Sequence, residues 1–343
     1  AFDSSKYSDK GIPIIRIADI KDNIDLSKCV CIDEEINKEF LIKKGSLLIA
    51  LSGATTGKMA VFSDNKIAYL NQRICSIYTK NEDISQEFLI YFLKSIQKKI
   101  IVNSYGGAQP NISSRWIENI KIKAPNIEIQ KKISKKLELL ENNIKSRKSQ
   151  LLFLEQLKKS LFTKYSIGEK ESIANLCYVK ARIGWQGLTK KEYLSNGEYY
   201  LITGVDFKNE KIDFKNCFYV TKERYNQDEN IKVKINDILL TKDGTIGKVA
   251  IVDKLEKPAT LNSGVFVLRP KVNNLNVTYL MHSLISEDFK KFIDDIKIGA
   301  TVPHLNQAAL LKYKLILPSI ELQNKFAERI EKIEKLKFEI EKS

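Results

Sequence analysis

From Pro125 to Phe162 the chain contains no glycine and no second proline. Proline removes a helix hydrogen bond and glycine weakens the helix, so this is helix-permissive sequence. Apolar residues fall at Ile133, Leu137, Leu140, Ile144, Leu151, Leu154 and Leu161, in alternating steps of four and three. Arg147 and Lys158 occupy the two slots that break the stripe. Heptad spacing of this kind predicts one long helix with a narrow apolar seam that needs a partner helix. From Ile127 to Leu161 such a helix is roughly 50 Å long at 1.5 Å per residue.

The partner stands near the other end of the chain. Residues 121–133 read KIKAPNIEIQKKI and residues 314–326 read KLILPSIELQNKF. Pro125 matches Pro318, Gln130 matches Gln323 and Ile133 matches Phe326. The same offset places Leu137 on Ile330 and Leu140 on Ile333, and Ile340 continues the second seam. The chain therefore reads as two copies of one unit, each ending in a seamed helix.

The rest of each copy repeats in order. GIPIIRIADI (11–20) and YLITGVDF (200–207) read as strands, as do 46–51, 60–62, 74–78 and 120–124 in the first copy. The turn from Gly53 to Lys58 is answered by INDILLTKDGTIG (235–247) followed by Lys248, and Asn71-Gln72-Arg73 by Asn262-Ser263-Gly264. Amphipathic helices are expected over 87–102 and 279–293. The polar loops 105–112 and 299–305 follow, with Pro110 answered by Pro303. Residues 172–187 form a leader whose counterpart in the first copy would fall before Ala1, which implies a missing N-terminal segment or a shorter first unit.

A chain of 343 residues accommodates two or more domains. Its net charge of +15, from 57 basic and 42 acidic residues, predicts an anionic partner, nucleic acid before membrane. No apolar run is long enough to span a bilayer. Within 121–165 there are 12 Lys+Arg against 4 Asp+Glu, whereas 319–343 carries 6 of each, so the two helices share a seam and differ in surface. Five scattered cysteines and two histidines give no zinc-ligand spacing and suit reduced thiols in the cytoplasm.

No catalytic motif survives inspection. The Gly53–Lys58 turn is one residue short of a phosphate-binding loop, and Met59 stands where a magnesium-binding hydroxyl is required. What the loops offer is cations, amides and hydroxyls. Lys58 and Lys248 follow glycine turns and can reach a phosphate. Gln109, Asn111 and Arg115 in one copy, and Thr301, His304 and Asn306 in the other, can read base edges or hold phosphates. Capping of the next helix is the other reading for Asn111 and Ser113. Arg16, Asn71 and Arg73 in the first copy, and Lys242, Thr245, Asn262 and Ser263 in the second, are further candidate DNA contacts. So is the cluster Arg182, Trp185 and Lys190, although a tryptophan also serves as half-buried core.

These features together resemble the specificity subunit of type I restriction-modification systems. The resemblance rests on the tandem units and their following helices, on DILLTKDGTIGKVAIV with LNSGVFVLRP, on the GAQPNIS and GATVPHL loops, and on the Pro-x-x-Glu-x-Gln helix starts at Pro125 and Pro318. It implies an α+β protein of two tandem α/β target-recognition domains, residues 1–124 and 166–317. The long helices 125–165 and 318–343 would pair as an antiparallel coiled coil. It also implies a non-catalytic subunit for double-stranded DNA. Each domain would read one half of a split asymmetric site, and the helices would set the gap and dock two methyltransferase (modification) subunits. S-adenosylmethionine, ATP and Mg2+ would be used by those subunits and by restriction subunits, not by this chain. A self-contained methyltransferase or nuclease and a tandem-domain interaction scaffold are the competing readings.

Overall fold

The computed structural model describes residues 2, 4–21, 23–34, 37–104, 111–183, 187–298 and 304–342. The chain divides into two compact units, residues 1–146 and 147–343, and the division falls inside the long central helix Ile127–Tyr165. Among the described residues no helix is long and apolar enough to cross a membrane.

In the first unit, strand Ile12–Ile15 lies between Cys31–Ile32, antiparallel, and Tyr69–Leu70, parallel. A second sheet places Leu47–Ala50 between Met59–Val61 and Ile74–Ile77, all antiparallel. Leu47 and Ile49 face the helix side, packing with Ile90, Leu93 and Ile100, while Leu48 faces a separate core with Ile15 and Phe62. Burial on both faces explains why this strand reads as an unbroken apolar run.

The second unit has the same plan. Tyr199–Ile202 lies between Phe218–Val220, antiparallel, and Ala259–Leu261, parallel. Ile238–Thr241 is central to a larger sheet, with Ile238 and Leu240 in one core and Leu239 in the other.

Several expected elements are shorter or divided. Residues 11–20 hold a four-residue strand that gives way to a 3-10 turn at Ile17–Asp19, and Tyr199–Ile202 gives way to one at Gly204–Asp206. In both copies an acidic side chain, Asp19 or Asp206, accepts from the backbone N–H three residues earlier and closes the turn. The amphipathic helices are each two: Gln86–Ser95 with Gln97–Val102, and Val277–Leu284 with Glu287–Lys297. Residues 120–124 form no strand; their counterpart Lys314–Leu317 does, because it pairs with Glu169–Ser172, the strand that leads into residues 172–187.

The C-terminal helix Ile320–Lys342 pairs with the second half of the central helix. Leu154, Leu161 and Tyr165 share a core with Phe326, Ile330 and Ile333, and Ile340 packs half-buried against it. Lys158 meets Glu334 and Glu155 meets Lys337, so numbering falls on one helix as it rises on the other and the pair is antiparallel. In that register the C-terminal helix lies opposite the second half of the central helix only. The expected pairing therefore needs correction over Ile133, Leu140 and Ile144, which keep 38%, 57% and 53% exposure, and over Leu137, which is half-buried. Leu151 is half-buried at the edge of the packed stretch.

Candidate nucleic-acid interface

Each unit gathers its candidate residues at one end of its sheets through the same backbone hydrogen bonds. In the first unit Leu51 N–H donates to Arg73 O at 2.9 Å, Asn71 N–H to Ile15 O at 3.0 Å, and Ile112 N–H to Leu51 O at 2.8 Å. In the second, Lys242 N–H donates to Gly264 O at 2.9 Å, Asn262 N–H to Ile202 O at 2.9 Å, and Leu305 N–H to Lys242 O at 3.0 Å. The glycine turn is tied in alike, by Gly57 N–H to Ala50 O at 2.8 Å and Gly247 N–H to Thr241 O at 3.0 Å. Both glycines have left-handed backbones, φ 79° and 91°. A Cβ on Gly57 would stand 2.4 Å from Ile101, so only glycine allows the turn to approach the helix behind it.

The framework brings Arg16, Lys58, Asn71, Arg73 and Asn111 together in the first unit, and Lys242, Thr245, Lys248, Asn262, Ser263 and His304 in the second. Lys58, Arg73, Arg115, Lys190 and Lys248 are exposed and form no ion pair among the described residues. Exposed cations of that kind can neutralise phosphates at little desolvation cost. Others are already held. Arg16 bonds Asp19 through its Nε at 3.3 Å. Lys242 bonds Asp243 at 3.1 Å, and His304 Nδ1 bonds the same carboxylate. Partial burial opposes ionisation of Asp243, but His304 and Lys242 outweigh it and hold its carboxyl below the ordinary range.

Three assignments change. Arg182 is 2% exposed. Its guanidinium donates to Leu261 O at 2.9 Å, Gln227 Oε1 at 3.0 Å and Thr260 Oγ1 at 3.2 Å, so it braces the interior and cannot reach DNA. Asn306 caps the helix Gln307–Lys312, accepting from Ala309 N–H at 2.8 Å. Asn262 is engaged by its neighbours, accepting from Gly264 N–H at 2.6 Å and bonding the Tyr193 hydroxyl. Gln109, Trp185 and Thr301 lie outside the described residues.

Sequence reasoning passed over Asp243, whose Asp-Gly setting signals a turn but not a clasp on His304. It matched Gln130 with Gln323 without seeing their task. Both are fully buried. Gln130 donates to Asp83 O and Pro125 O, each at 2.8 Å, and accepts from Ser85 N–H at 3.0 Å. Gln323 donates to Asn274 O at 3.0 Å and Pro318 O at 2.8 Å, and accepts from Asn276 N–H at 2.9 Å. Each glutamine thus fastens the first turn of a long helix to the start of an amphipathic helix in its own unit.

This doubled architecture coincides with a family match. Residues 1–156 and 182–343 fit the type I restriction modification DNA specificity domain. The chain belongs to that family. Among its relatives, the type I restriction enzyme MjaVIII specificity subunit of Methanocaldococcus jannaschii is 26% identical over 322 residues, 88% of this chain and 75% of the relative. The EcoBI specificity subunit of Escherichia coli is 24% identical, over 97% of this chain and 76% of its own. The fold of the family member described here is similar to the crystal structure of the type I restriction-modification S subunit from M. genitalium, with a TM-score of 0.63 at 16% identity, covering 100% of this chain and 87% of that one.

Proposed function

We propose that this chain is the sequence-specific DNA-recognition subunit of a type I restriction-modification complex and carries no catalytic centre of its own. The observation that carries the reading is the paired framework: two sets of matching backbone bonds present different residues, Arg73 and Asn111 in one unit, Gly264 and His304 in the other. One scaffold carrying two sets of tips suits two unlike half-sites.

On this reading each unit contributes one half of a split, asymmetric site through base edges, while Lys58 and Lys248 hold phosphates. The paired helices set the gap and dock two methyltransferase subunits. Those subunits use S-adenosylmethionine; ATP and Mg2+ serve the restriction subunits. Exchanging residues 172–312 for the equivalent part of another family member tests the proposal. Methylated positions mapped across a genome should change in one half of the recognised sequence only. A change in both halves, or in neither, would refute independent reading.

A further inference from the structure

His282 is 5% exposed and makes no hydrogen bond among the described residues. Its ring is held between Phe162 and Phe326 and lines two hollows of the second unit, of about 350 Å³ and about 640 Å³. Glu210 lines both as well, so the hollows share this pair as a common wall. A buried imidazole with no protein partner is an unusual thing to aim into a hollow, because unmet polar groups cost stability. Glu210 adds a second cost. It stands in the left-handed region at φ 63°, beside Asn209 at 49°. Asparagine suits that region, and glutamate does not.

Charge sets these hollows apart in a chain of net +15. The smaller is lined by Glu155, Glu210, Glu287 and Asp288 against Lys158 and Lys159. The larger adds Asp253, Glu328, Glu331 and Glu334 against Lys211. Lys290, Lys335 and Lys337 reach three of these carboxylates from outside, and the acidic excess survives them. Asp288 and Glu328 form no ion pair among the described residues. Such a region repels DNA phosphate and favours a cation.

The form of the cation follows from the other walls. Phe162, Ile285 and Ile316 are apolar walls of the smaller hollow, and Met281, Ala327 and Ile330 of the larger. A metal ion gains nothing from them. Among the described residues no three His, Cys, Asp or Glu are grouped to hold one. A chain of methylenes with ammonium groups spaced along it uses both kinds of wall. Its carbons lie on the apolar side chains, one ammonium can stack on Phe162, and the others meet carboxylates. Burial pushes the His282 pKa down to about 4, so at neutral pH one ring nitrogen is free to accept from an N–H.

We propose that the two hollows joined at His282 and Glu210 are a binding site for a small linear polyamine, with His282 accepting from an ammonium group and Glu210 pairing its charge. The inference does not depend on the DNA-reading role, and its test contains no DNA.

The probe is spermidine, titrated into the full chain at about 0.15 M salt, where exposed charges are screened. The chain, free of any histidine tag, has two histidines, so a His304→Asn variant assigns the imidazole NMR signals. Spermidine should move the His282 signal to saturation and leave that of His304 in place. Magnesium ion at the same ionic strength should move neither. Glu210→Asn removes the charge and suits the left-handed backbone, so it should fold and weaken spermidine binding at least about ten-fold. Glu328→Gln, an exposed change, should weaken it about two- to five-fold. Thermal unfolding checks that both variants are folded. A His282 signal that spermidine leaves unmoved overturns the proposal. So does an equal response to magnesium, or an affinity that Glu210→Asn leaves unchanged. Tighter binding of tri-lysine also overturns it, by marking the hollows as a seat for a basic peptide.

Discussion

Lys158 reaches Glu334 across the helix pair at 3.0 Å with only 5% of its side chain exposed. Glu155 lies at 3.0 Å and Glu210, from a hairpin turn of the second unit, at 3.6 Å. Burial alone would favour the neutral amine. The three carboxylates outweigh it and hold the Lys158 pKa above its ordinary value. A lysine in a seam position favours this register over one of its neighbours, because a slip of one heptad toward the start of the C-terminal helix would put Ala327 in place of Glu334.

Lys158→Met should leave stability within about 1 kcal/mol of the parent or raise it, since an apolar side chain suits the seam and the freed carboxylates retain access to water. Lys158→Glu, which crowds four carboxylates together, should cost about 3 kcal/mol. Urea denaturation decides both. A large loss with methionine would mean that the ion cluster itself stabilises the pair.

His282 gives the second unit a pH dependence. It is 5% exposed, with ring centroids 6.5 Å from Phe162 and 5.1 Å from Phe326. Burial, and then the charge on Lys158, push its pKa down to about 4. The unfolded chain binds a proton here below about pH 6.5, and the folded chain does not until about pH 4. The contribution is therefore complete above pH 6.5 and is lost as pH falls toward 4, by at most about 1.4 kcal/mol per pH unit. His282→Leu should flatten the stability profile in that window; an unchanged slope would place the titration elsewhere.

Gln323→Ala should cost about 2–3 kcal/mol, because it orphans a buried N–H on Asn276 and carbonyls on Asn274 and Pro318. Gln130→Ala should do the same in the first unit. Amide exchange at Asn276 or Ser85, followed separately, should accelerate only in the unit that carries the substitution.

Lys58→Ala and Lys248→Ala should each weaken DNA binding across all sequences and reduce the slope of affinity against salt by about one. Arg182→Met should behave differently, lowering stability by about 2 kcal/mol through lost buried hydrogen bonds and leaving the salt slope intact. An altered sequence preference with an unchanged slope for the lysine variants would contradict phosphate contact.

Local rules made the duplicated plan, the two seamed helices and the glycine turns legible in the sequence. Heptad spacing, prolines before the long helices and Gly57 with Gly247 each speak through neighbours in the chain. Arg182 and Lys190 look alike in that alphabet. Only packing placed one guanidinium inside the second unit, against Leu261 and Thr260, and left the other cation at the surface. The same holds for the helix seam. Its period is written in residues 133–161, but which of those residues are covered depends on a register set by Lys158, Glu334 and the aromatic cluster around Phe326. Period is a property of one strand of sequence; burial depends on which distant segment packs against it, and that is decided by the free energy of the assembled core.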